Sequence, residues 1–108
     1  PNPNLDESFQ LIQAAYQQEP ESAAINDSMG WVYFLKGETE AALPYLEFAF
    51  KEYPDPEVAA HLGEVYWKLG RQEDAKRVFN QGLQQKDGKR ALLLQTIRRL
   101  GVQVPAAK

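Results

Sequence analysis

No cysteine occurs among the 108 residues. That removes disulfides, thiolate metal sites and cysteine nucleophiles in one step. Histidine is nearly absent too: His61 stands alone, so zinc sites built from several imidazoles are excluded. No apolar run approaches the roughly 18 residues that a membrane-spanning helix needs. No basic n-region followed by an apolar h-region marks a secretory leader. A glycine-rich phosphate loop is missing, as is a basic stripe suited to nucleic acid. Lys86, Lys89, Arg90, Arg98 and Arg99 are the nearest approach to such a stripe, and they read as the solvated face of a terminal helix. No cofactor, metal or nucleic-acid partner is therefore expected.

What remains is an ordinary globular composition, 44% apolar and 25% charged, of single-domain length. The net charge is −3, but its distribution is uneven. Residues 1–60 carry 11 acids against two bases, and residues 61–108 carry four acids against ten bases. A linear stack of elements would be electrically polarised. That suits head-to-tail matching with neighbouring repeats, or an acidic partner at the C-terminal end.

The organising feature is an internal repeat. Gly30, Tyr33, Gly37, Ala42, Leu46 and Ala49 recur 33 residues later as Gly63, Tyr66, Gly70, Ala75, Phe79 and Gly82. A period in this range indicates stacked supersecondary units. Apolar residues at 3.6-residue spacing predict helices over about 5–19, 22–36, 38–52, 56–69, 72–85 and 89–100. Pro20, Gly37, Pro54, Gly70 and Gly101 supply the stops. The opening PNPN is expected to precede the first helix, because its two prolines disfavour an ordered start. Lys86-Asp87-Gly88 reads as a turn, and the last helix turns Arg90, Gln95 and Arg99 outward. The fold class is all-α, an antiparallel helix-turn-helix repeat array with a terminal capping helix. Residues 1–22 are a linker and the second helix of a truncated preceding repeat. Residues 23–55 and 56–89 are full repeats, and residues 90–108 are the capping helix and tail.

Small residues have a packing reason. Gly30 and Gly63 let the paired helices approach, and Ala42, Ala49 and Ala75 do so with a methyl. Gly82, standing where Ala49 stands one repeat earlier, is expected to weaken its helix by ~1 kcal/mol.

The pattern G-W-V-Y-x3-G-x4-A-x3-L-x2-A-x4-P resembles the tetratricopeptide repeat, with Asn26 and Ala59 where that repeat usually carries tryptophan. The resemblance implies a binding surface on the first helix of each repeat, lining a concave groove. Carried over by position, the partner-binding residues are Asp27, Ser28, Trp31, Phe34 and Leu35, then Ala60, His61, Glu64, Trp67 and Lys68. Arg98 follows on the terminal helix. The aromatics would anchor a helix or extended segment of a protein partner, or they would pack on each other. A clamp for a partner's C-terminal carboxylate is disfavoured, because Asp27 and Glu64 would repel it. Asp27, Ser28 and His61 together suggest a hydrolytic triad, but nothing supplies a strained nucleophile turn or an oxyanion hole, so the chain is not expected to be an enzyme.

INDSMGWVYFLKG followed by YPDPEVAAHLGEVYWKLGR is similar to the C-terminal repeats of bacterial outer-membrane lipoproteins of this type. That resemblance implies a longer parent on the periplasmic face of the outer membrane, held by a lipidated N-terminal cysteine that this sequence lacks. It also implies a scaffold or adaptor role, with a periplasmic protease or cell-wall enzyme as partner. The alternative role is a structural cap of a longer superhelix, or self-association, including a homodimer formed through the exposed leading helix.

Overall fold

The computed structural model describes residues 3–85 and 90–103. The turn at Lys86-Asp87-Gly88, Lys89 and the tail from Val104 onward lie outside the described residues. Six helices and no strand are present among the described residues. They are α1 (Pro3–Gln18), α2 (Ala23–Leu35), α3 (Thr39–Glu52), α4 (Pro56–Lys68), α5 (Gln72–Leu83) and α6 (Ala91–Leu100).

The helix ends follow from local chemistry. Ser22 Oγ accepts from the Ile25 amide at 3.2 Å, and Asp55 Oδ2 accepts from the Glu57 amide at 3.0 Å. These N-caps satisfy amides that the first turn leaves unpaired. Gly37, Gly70 and Gly101 end α2, α4 and α6 with φ of 88°, 81° and 71°. The left-handed turn lets the following amide reach back five residues, as Glu38 to Tyr33, Arg71 to Tyr66 and Val102 to Ile97. One departure from expectation occurs at the start. α1 begins at Pro3, inside the PNPN segment. Proline lacks an amide hydrogen that the first helical turn does not use, so it opens a helix without loss.

α2 pairs with α3, and α4 with α5, as antiparallel hairpins. α4 then packs on α3, and α6 covers α4 and α5. Phe79, Leu46, Leu93, Val65 and Pro56 fill the centre. The repeated glycines explain the closeness. A Cβ on Gly30 would sit 2.6 Å from Leu46 Cγ, and one on Gly63 would collide with the Phe79 ring. The two repeats thus use the same solution, a glycine on the first helix facing a large side chain on the second.

Gly82 extends this logic and gives its low helix propensity a packing reason. A Cβ there would lie 2.6 Å from Ala59 Cβ and 2.8 Å from Leu93 Cδ2. Its lost helix propensity is the condition for α4 and α6 to close over α5. Asn26, where the repeat usually carries tryptophan, is 3% exposed. Its amide nitrogen donates to the carbonyls of Pro20 (2.9 Å) and Ser22 (2.8 Å), which ties the α1–α2 turn to α2.

Rings of α1 meet rings of α2 and α3. Phe9 meets Tyr33 edge-on at 5.0 Å, and Tyr16 meets Tyr45 edge-on at 5.5 Å. Lys36 lies 4.2 Å over the Phe9 ring and 3.4 Å from Asp6.

Candidate partner-binding face

α2, α4 and α6, the first helices of successive units, form one layer. The sequence-derived site residues do not form one cluster on it. Asp27, Trp31, Phe34 and His61 are brought together. The His61 Nδ1–H donates to Asp27 Oδ1 at 2.9 Å, joining α4 to α2. With the carboxylate as acceptor, the proton sits on Nδ1. Trp31 stacks on the imidazole at 4.0 Å and on Phe34 at 4.9 Å, giving a three-ring column. The column is half-buried, so the rings satisfy one another in part and still present surface.

Glu64 belongs to a second group. It is 5% exposed, and its carboxylate accepts both Arg99 guanidinium hydrogen bonds, at 3.0 and 2.6 Å. Hydrogen bonding to Glu64 holds the Arg99 guanidinium above its ordinary range. Arg99 does lie outward, its side chain 57% exposed, but its guanidinium reaches in to Glu64. It is the side chain that fastens α6 to α4. The signal that could have found it is the buried position of Glu64 within a repeat, which demands a base on the next element. Ala60 is likewise buried. Leu35 and Lys68 form the third group, open to solvent at the C-terminal ends of α2 and α4. Trp67 is half-buried against the core, and Arg98 is exposed on α6.

These pairings change the reason for rejecting a carboxylate clamp. Asp27 and Glu64 do not stand as two free repelling charges. Each already has a partner, Asp27 in His61 and Glu64 in Arg99. The His61–Asp27 pair resembles two-thirds of a hydrolytic triad. No hydrogen bond joins Ser28 to His61 among the described residues, and Trp31 covers one face of the imidazole. Among the described residues no cluster of three His, Asp or Glu side chains could hold a metal, and no helix is long and apolar enough to cross a membrane.

Away from this layer, Tyr66 donates to Glu47 Oε2 at 2.5 Å, tying α4 to α3. Burial first, and then this bond, push the Tyr66 phenol up to about 12. Asp74 bonds both Arg77 and Arg71, which hold its carboxyl below the usual range. A hollow of about 370 Å³ lies between α1, α2 and α3, lined by Tyr16, Pro20, Asn26, Pro44, Tyr45 and Phe48.

Helical hairpins with a left-handed glycine at the turn, stacked one on the next, define a helical-repeat module. The family model for the tetratricopeptide repeat matches residues 33–97, more than half of the sequence, and the chain belongs to that family. It is similar to a TPR repeat-containing protein of Pseudomonas aeruginosa, 48% identical over 58 residues. That match covers 54% of this chain and 10% of the relative. It is also similar to the crystal structure of a thermophilic TPR protein of Thermus thermophilus, at 26% identity and a TM-score of 0.74. There the alignment covers 89% of this chain and 50% of the other. Proteins of this family are generally non-enzymatic modules that bind other proteins.

Proposed function

We propose that the layer of α2, α4 and α6 binds a helix or extended segment of a protein partner, within a scaffold or adaptor. The observation that carries this reading is the Phe34–Trp31–His61 column. Three rings from two repeats are fixed in one place and only partly buried, beside the exposed Leu35. Rigid aromatics with a wet edge are what interface anchors require. Trp67 and Lys68 extend the surface to the second repeat, and Asp27 and His61 set its floor. Placement on the periplasmic face of the outer membrane, with a protease or cell-wall enzyme as partner, follows from the sequence resemblance and is part of this proposal.

The test is capture from an envelope extract by the protein and by its Trp31→Ala/Trp67→Ala variant, with helicity checked by circular dichroism. The expected result is a partner retained by the first bait and lost by the folded variant. Equal retention would contradict the reading and turn attention to the hollow beside Tyr45. A second reading, self-association through α1, rests on Leu11, which is 67% exposed on that helix. Sedimentation that shifts with concentration, and stops shifting in Leu11→Glu, would favour it.

A further inference from the structure

We infer that the outer face of α6 is a second docking site, separate from the aromatic column, for an acidic amphipathic helix of a partner protein. The argument starts from register. Leu93, Ile97 and Leu100 occupy on α6 the places that Ala59, Gly63 and Tyr66 occupy on α4. Leu94 and Arg98 therefore stand where Ala60 and Glu64 stand. On α4 those two positions are buried, and Glu64 is gripped by Arg99 of the next helix. One repeat earlier Asp27 takes the place of Ala60 and is gripped by His61 of the next helix. Each inner helix thus offers a carboxylate, and the following helix brings the base.

α6 breaks the rule. Its sequence ALLLQTIRRL contains no acid, and Arg98 stands where Glu64 stood. Arg98 has no ion-pair partner among the described residues, whereas Arg99 is bound to Glu64 and Arg90 donates to the Gln85 carbonyl. Ala91, Leu94, Gln95 and Arg98 lie at i, i+3, i+4 and i+7, one stripe directly opposite the buried Leu93, Thr96 and Ile97. Leu94 is 46% exposed and Leu92, on the flank, 38%. A further helix of the same kind would bring a base against Arg98 and be repelled. The inverted sign selects instead a helix with a carboxylate opposite Arg98 and apolar side chains over Leu94.

Two synthetic amphipathic peptides test this, identical on the apolar face and carrying either Glu or Lys on the polar flanks. Binding to the 108-residue protein would be followed by fluorescence anisotropy and mapped by amide chemical shifts. The Glu peptide should bind, weaken as salt is raised, and shift Ala91, Leu94, Gln95 and Arg98. Arg98→Glu, an exposed position that should leave the fold intact, should weaken the Glu peptide at least about tenfold and admit the Lys peptide. Trp31→Ala should leave both unchanged, which separates this surface from the aromatic one. Three results would overturn the inference: no binding of either peptide, binding indifferent to Arg98→Glu, or shifts confined to α2. So would a protein dimer dissociated by Arg98→Glu, since the face would then be covered by a second copy.

Discussion

Gly63 faces Phe79 across the α4–α5 hairpin, and the contact leaves no space for a methyl group. Gly63→Ala should therefore lower stability by about 1–3 kcal/mol through overpacking, although alanine is the better helix former. Gly82→Ala should change stability in the same direction, because Ala59 and Leu93 close the space. Urea unfolding of both variants checks this, and a gain in stability for either would contradict the packing described. Tyr66 gives a pH signature. Its phenol has a folded pKa of about 12 against 10.0 for the free side chain, raised by burial and by Glu47. A pKa raised by folding favours the protonated fold, so this contribution is full below pH 10 and is lost as pH climbs toward 12. The alkaline decline in unfolding free energy should be steeper for the wild type than for Tyr66→Phe.

At the scale of elements, the joints between helices carry the structure's specificity. Asp27–His61 joins α2 to α4, Glu64–Arg99 joins α4 to α6, and Glu47–Tyr66 joins α3 to α4. Arg99→Met should cost about 1–3 kcal/mol, since it strands a buried carboxylate. The Glu64→Leu/Arg99→Met double variant should recover much of that loss, because no charge is then left without a partner. A double-mutant cycle by thermal unfolding measures the coupling. The elements themselves were legible because strong punctuation, Gly37, Pro54, Gly70 and Gly101, sits between amphipathic segments. The bond from Arg99 to Glu64 was not legible, since helical periodicity turns Arg99 outward and says nothing of where its guanidinium reaches. Only the burial of Glu64 shows which flank of α6 meets α4. The start of α1 was misread for a local reason, that proline is as good at opening a helix as at preventing one.

At the scale of the molecule, the joints between helices share one polarity, acid on the earlier helix and base or hydroxyl on the later one. Raised salt should therefore weaken the exposed pair Asp6–Lys36 before it touches Glu64–Arg99, whose carboxylate is buried. The face that the repeat pattern assigns to a partner was legible as a set of positions on α2 and α4. What the positions could not show is that Asp27 and Glu64 are spent on internal joints, which leaves the aromatics as the available contacts. The protein's two tryptophans, Trp31 and Trp67, are both among the residues assigned to this face. Tryptophan emission during titration with the captured partner is thus the most direct measurement of the central claim. Binding at this face should shift the emission and shield the indoles from acrylamide quenching. Saturating binding that leaves the emission and the quenching unchanged would contradict it.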